Sequence, residues 1–350
     1  MFILNLDIII CLLILLIVNY VLSKKDLLID NPRFSSHKHQ HKKIIPLSGG
    51  LFFIISYIII ALINNLEVEI IFFILPFLII GIMADTRKDF SPKIRLLLQL
   101  LFIILTIYFL KIKISSIDLI FFDNYLKNDL FNLFFTTFCL ITVLNGHNFM
   151  DGLNGFVIGN LLLILISTYI IINNNSIKFD PEFIQLIEIS ITIYLTFFIF
   201  NIFGICFLGD NGIYIFSIFI SLLVIKFIEQ SNSQISPLIA VSFFWYPAYE
   251  NLFSILRRLK EKKNISHPDK LHLHILIKDN IKSNFGKKIN YTQQNSISGF
   301  LINFLLLPNF ILSIVWYNSS TKLMYLIIFQ IIIYMLIYKK LKNKKINISK

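Results

Sequence analysis

An all-α integral membrane protein is the fold this sequence predicts: a polytopic bundle of about 11 transmembrane helices, N-terminus outside and C-terminus cytoplasmic. Three observations predict it. Of 350 residues, 56% are hydrophobic and only 15% charged, and the mean hydropathy is +0.76. Predominantly apolar stretches of 15 to 22 residues recur along the whole chain, close to the length a helix needs to cross a bilayer, and only helices satisfy their own backbone in lipid. The third observation is a one-sided distribution of basic residues, which sets the orientation.

The spans fall at 2-22, 47-63, 70-84, 94-111, 128-144, 155-173, 184-206, 212-228, 235-252, 298-316 and 323-338. The first holds Asp7 and lacks a basic leader or a small-residue cleavage pattern, so it reads as an anchor. Alternating spans place 26 of the 32 Lys and Arg residues on one side, in the loops around 24-50, 85-95 and 253-297 and in the tail 339-350. By the positive-inside rule that side is cytoplasmic. Cys11, Cys139 and Cys206 all lie inside spans, which supports neither a disulfide framework nor a thiolate metal site. The net charge of +12 fits anionic lipid headgroups or a phosphorylated substrate.

The whole chain, 1-350, reads as a single domain, and its polar motifs collect in cytoplasmic segments at 23-46, 85-93, 145-154, 207-211 and 253-297. A pore would scatter such groups through its depth, whereas these share one face. In NGHNFMDGLNGF (145-156), Asn145, Asn148 and Asp151 recur every three residues and run into glycines; a helix C-cap and turn is the alternative. Asp85 ends a span in ADTRKD, beside Arg87 and Lys88, and Ser91-Pro92 opens the next helix; an interfacial salt bridge is the alternative for Asp85. Asp210 lies between Gly209 and Gly212 in LGDNG, where a turn with an N-cap is the other reading. His272 and His274 are two apart, a spacing that shares one side of an extended segment and not of a helix. As half of a zinc site the pair lacks a soluble cysteine to complete it, and the HKHQH run at 37-41 has the same weakness.

Taken together these motifs resemble the polyprenyl-phosphate N-acetylhexosamine-1-phosphate transferases, the family that includes the initiators of O-antigen, common-antigen and teichoic-acid linkage synthesis. NPRFSSHKHQHKKIIPLSGG, ADTRKDFSPKIRLLLQ, NGHNFMDGLNGF, LGDNGIY and HPDKLHLHIL are similar to five family motifs, in the family's order. The peptidoglycan lipid I synthase is a relative, and FSILRR before PDKLHLH looks more like the O-antigen-initiating branch. The resemblance implies transfer of N-acetylhexosamine 1-phosphate from a UDP-sugar to undecaprenyl phosphate in a bacterial inner membrane. It implies magnesium, with manganese as the alternative, held by Asp210 with Asp151. Asn148 supports the metal or the diphosphate, and Asp85 orients the lipid phosphate or joins the metal shell. Asn145, His272, His274, Arg257, Arg258, Lys270 and His37 are implied as substrate-binding. Membrane lipids are expected as partners, nucleic acid is not, and a homodimer stays open. Two departures stand out: Ala84 replaces the first of two family acids, and Ile275 stands where some members have another histidine. A transporter or lipid-carrier translocator is the alternative function; against it, there is no broken inverted repeat, and Glu188 and Lys226 are the main charges at mid-membrane depth. Ala84 also keeps open an inactive scaffolding relative.

Overall fold

The computed structural model describes residues 2-30, 44-87, 89-174, 176-262, 271-285 and 289-349. Every apolar run becomes a helix: α1 (Phe2–Lys24), α2 (Gly49–Ile63), α3 (Ile70–Thr86), α4 (Pro92–Phe109), α6 (Asp129–Met150), α7 (Phe156–Asn174), α8 (Pro181–Ile202), α9 (Gly209–Gln230), α10 (Leu238–Lys260), α12 (Tyr291–Val315) and α13 (Ser320–Ser349). Two further helices, α5 (Ile120–Leu126) and α11 (Leu273–Phe285), lie in connections. Eight of these helices are long and apolar enough to cross a membrane, and α2 and α3 are shorter apolar helices. The chain is an all-α polytopic membrane protein. Among the described residues the only sheet is a two-stranded antiparallel ribbon of β1 (Ile29–Asp30) and β2 (Ile45–Pro46).

Three of the predicted loops are shorter than the composition suggests. Helix α6 runs on to Met150, so Asn145 and Asn148 are helical and only Asp151 onward is loop. Apolar content fades before the helix does, because the last turns pack on protein and not on lipid. The segment 253-297 is largely helical as well: α10 continues to Lys260, α11 follows, and α12 begins at Tyr291 behind a capping box of Asn290 and Gln293. The segment 207-211 already contains the first turn of α9.

Helix α9 is the axis of the bundle, buried at nearly every position from Gly209 to Val224. Its N-terminal turn meets α3 backbone to backbone, since a β-carbon on Gly81 would overlap the main chain of Asp210 and Asn211. Deeper in, Phe53, Tyr194, Phe216 and Phe219 form an edge-to-face aromatic core, with the Tyr194 hydroxyl donating to the Phe216 carbonyl at 2.7 Å. The outer faces carry exposed Leu, Ile and Phe, among them Phe72, Leu97 and Leu336, as a surface solvated by acyl chains requires.

Side-chain bonds pair helix ends in strict alternation. The ends of α3, α6, α8 and α10 gather with the starts of α2, α4, α7, α9 and α12, and the motifs lie at this end. At the far end, Asn64 after α2 bonds Asp7 near the start of α1 and Gln185 near the start of α8.

Candidate active site

Four helix ends build the centre of the motif face. Asp210, in the first turn of α9, accepts from Asn148 of α6 through Oδ1 at 2.7 Å and from Arg95 of α4 through Oδ2 at 2.8 Å. One turn further into each helix, Asn145 Nδ2 lies 3.4 Å from Gln99 Oε1. The pairs Arg95/Gln99 and Asn145/Asn148 thus stack as i,i+4 on one helix against i,i+3 on the other. Arg95 and Gln99 are functional candidates that motif reading misses, although two polar residues one turn apart in an otherwise apolar helix are a visible signal.

Asp85 meets the first turn of α9. Both its carboxylate oxygens face the start of α9: Oδ1 accepts from Asp210 N at 2.9 Å, and Oδ2 from Asn211 N at 3.0 Å and Asn211 Nδ2 at 2.6 Å. Helix N-termini leave unsatisfied amides and a positive dipole end, and α9 gets no cap from its own preceding residue, Leu208. A carboxylate from α3 supplies that cap, so Asp85 holds the turn bearing Asp210. Gly209 sits at φ +67°, which lets the chain enter the helix close beside Asp85. Asn211 completes the joint: its Oδ1 accepts from Gly50 N at 2.7 Å and its Nδ2 donates to the Leu47 carbonyl at 3.1 Å.

Asp151 is the C-cap of α6, with extended backbone, followed by Gly152 at φ +135°. No described residue hydrogen-bonds its carboxylate. The loop behind it is fixed: Gly155 N donates to Asn201 Oδ1 at 2.7 Å, and Asn303 Nδ2 donates to the Gly155 carbonyl at 2.9 Å. Asn154 turns away to Ser296 at 3.3 Å, a structural role.

A second cluster adjoins the first through Phe149, whose ring lies 5.5 Å from that of His272. His272 and His274 are side by side with rings stacked at 5.4 Å and 15°, because the segment is not yet helical at His272 and enters α11 at Leu273. Arg257, expected to meet substrate, holds this segment in place: its Nη1 donates to the Leu271 carbonyl at 2.9 Å and to the Tyr338 hydroxyl at 2.7 Å. Arg258 is buried on the same helix. Glu250, Ser254, Tyr334 and Tyr338 join the cluster without any motif marking them. His37 and Lys270 lie outside the described residues.

Among the described residues no three His, Cys, Asp or Glu side chains form a ready metal cage. Magnesium does not require one, since it commonly takes one or two carboxylates and fills its shell with water and substrate phosphate. The donor set fits on chemical grounds: Asp151 offers a carboxylate, Asn148 retains Oδ1 while its Nδ2 serves Asp210, and Asp210 holds a carboxylate balanced by Arg95.

Residues 68-228 match the model of Glycosyl transferase family 4, a stretch that runs from α3 to α9 and includes Asp85, Asn148, Asp151 and Asp210. The chain is similar to a Bacillus subtilis protein named a probable undecaprenyl-phosphate N-acetylglucosaminyl 1-phosphate transferase, 27% identical over 256 residues, which cover 70% of this chain and 68% of that one. It is also similar to the undecaprenyl-phosphate alpha-N-acetylglucosaminyl 1-phosphate transferases of Escherichia coli K12, 26% identical with 73% and 70% covered, and of Thermotoga maritima, 25% identical with 73% and 74% covered. None of these relatives is named as a transporter. With its motifs in order and its helix ends assembled around Asp210, the chain is similar to glycosyl transferase family 4 over that matched stretch.

Proposed function

We propose that this protein transfers N-acetylhexosamine 1-phosphate from a UDP-N-acetylhexosamine to undecaprenyl phosphate, releasing UMP, as the first membrane step of a cell-surface polysaccharide. The observation that carries the reading is the joint of Asp210, Arg95 and Asn148 at one end of the bundle, inside the stretch matched to the family. The activity for which the relatives are named supports it.

In this reaction a phosphate oxygen of the lipid bonds to the sugar-linked phosphorus while the bond from that phosphorus to the bridging oxygen breaks, and UMP leaves with that oxygen. Phosphoryl transfer asks a protein mainly for alignment and charge neutralisation. A phosphomonoester has a second pKa near 6, so at neutral pH the lipid phosphate is largely dianionic and attacks without a general base. Ala84, in place of a family acid, is compatible with that chemistry. A bound divalent ion, magnesium or manganese, would neutralise the diphosphate as charge shifts to the leaving group. Asp151 and Asp210 would hold it, with Asn148 alongside. Arg95 balances Asp210 and keeps its carboxylate directed across the α4–α6 face. His272 and His274 would meet the sugar diphosphate. The motif end faces the cytoplasm in this reading, because four basic regions share its side.

Purified protein given labelled UDP-N-acetylhexosamines, magnesium and undecaprenyl phosphate should move label into extractable lipid with matching release of UMP. No transfer from any donor would overturn the reading. Transfer is direct here, so enzyme, metal and donor without the lipid should not exchange labelled UMP; rapid exchange in delipidated protein would instead indicate a covalent route through Asp151.

A further inference from the structure

Glu250 is fully buried in α10, and a carboxylate in that position is costly unless paired. Its Oε1 lies 2.8 Å from His272 Nδ1 and 3.5 Å from Ser254 Oγ, and its Oε2 accepts from the Tyr334 hydroxyl at 2.7 Å. Ser254 Oγ is itself 3.2 Å from His272 Nδ1. An ionised carboxylate can only accept, so this contact places a proton on Nδ1 and leaves Nε2 as the ring nitrogen free of described partners. The ring is hemmed by His274 and Phe149, and its backbone is held where Arg257 grips the Leu271 carbonyl. Glu250, Ser254 and Arg257 occupy one stripe of α10 at i, i+4 and i+7, while Tyr334 and Tyr338 occupy one stripe of α13. Two helices are thereby committed to orienting one short histidine segment.

We propose that Glu250 is a positioning residue that acts through His272: anchored by Tyr334, it fixes the tautomer and rotation of the imidazole so that Nε2 is presented to the anionic diphosphate of the nucleotide-sugar donor. The inference rests on the transferase reading for the identity of the ligand, but the pairing itself does not. A salt bridge that only stabilised the core would use the same atoms, so the test must read coupling to His272.

The experiment is a double-mutant cycle of Glu250→Gln and His272→Gln, measured as kcat/KM for label transfer on protein matched for thermal stability and monodispersity. Each single change should lower kcat/KM about tenfold or more, and Glu250→Gln in the His272→Gln background should cost no more than about twofold further. Losses that multiply would overturn the proposal, because Glu250 would then act independently of the imidazole. Should Glu250→Gln not accumulate as folded protein, Tyr334→Phe takes its place: it keeps the ring, and its loss of rate should vanish when His272 is already changed. Nitrogen NMR of histidine-labelled wild type gives a readout free of activity, with the His272 signals assigned by their absence in His272→Gln. A bare Nδ1 at His272 would overturn the proposal whatever the rates. An inactive wild type that still carries the Nδ1 proton would remove the transferase reading and support the pairing.

Discussion

Polar side chains gather at both ends of the bundle, and the two gatherings are built differently. At the far end Asp118 accepts from Ser236 at 2.9 Å, from Ser116 at 3.4 Å and from Ser320, while Asp7 accepts from Asn64 at 3.5 Å. These carboxylates are met by neutral hydroxyls and amides from the loops and helix ends they tie together. At the motif end Asp210 is met by a guanidinium, Asp85 by the dipole end of a helix, and two imidazoles and Asp151 stand in the same neighbourhood. A carboxylate satisfied by hydroxyls is a joint. A cluster of opposed charges, carried on glycine turns and helix termini, can exchange its partners for those of an ionic ligand. Polar clustering alone therefore does not find the site; a part-buried carboxylate with a charged partner does, since the Lys113–Asp129 ion pair at the far end is exposed on both sides.

The sharpest way to break this comparison is to show that the ends do not lie on opposite sides of the membrane. A reporter after Lys350 should be cytoplasmic, and one inserted at 173-182 should not, an all-or-none difference. Both reporters on one side would undo the eleven-span alternation and the single-face site with it.

Next in size is Asp210→Asn. Asn keeps the shape and the hydrogen-bonding oxygen but drops the charge that Arg95 and a divalent ion would share. Transfer should fall about tenfold or more, equivalent to about 1.4 kcal/mol of lost transition-state stabilisation, and its dependence on magnesium should change. Near-wild-type rates with an unaltered magnesium curve would leave Asp151 as the sole carboxylate for the metal.

How much of this was legible in the sequence depends on the range over which each interaction acts. The eleven apolar runs could be read as helices because hydropathy is a local sum, and Asp210, Asn148 and the histidine pair could be singled out as candidates because each sits in a compact motif. Arg95 was legible as a charge but not as the partner of a residue 115 positions away. Glu250 lies in the aromatic run FFWYPAYEN, and its partner Tyr334 is 84 residues on, so no local pattern links them. The same range limit explains Asp85. A carboxylate at the end of a span reads as a ligand until the unsatisfied amides of a helix 125 residues later are placed against it.

That distinction makes Asp85→Asn the third test. An amide cannot offer two anionic oxygens to the α9 terminus, and hydrogen bonds to charged groups contribute about 1.5–3 kcal/mol. Thermal unfolding in detergent should show that loss, whereas transfer, compared at a temperature where both proteins are folded, should fall less than in Asp210→Asn. A variant as stable as wild type but inactive would return Asp85 to the reacting groups.

The smallest effect is expected at the far end, and it separates a joint from a site. Asp118 ties the connection after α4 to the starts of α10 and α13 through Ser236 and Ser320, and Ser236 N also donates to the Tyr317 carbonyl at 2.9 Å, so the joint has a second fastening. Asp118→Asn keeps one acceptor oxygen and removes a charge that faces water, where hydration replaces much of what is lost. Discounted for that exposure, a fall in stability of about 1 kcal/mol is expected. Transfer rate and magnesium dependence should both match wild type, because none of the described bonds of Asp118 reaches the motif end. Loss of activity at unchanged stability would mean that the far end couples to chemistry across the bundle, and the comparison between joint and site would then fail.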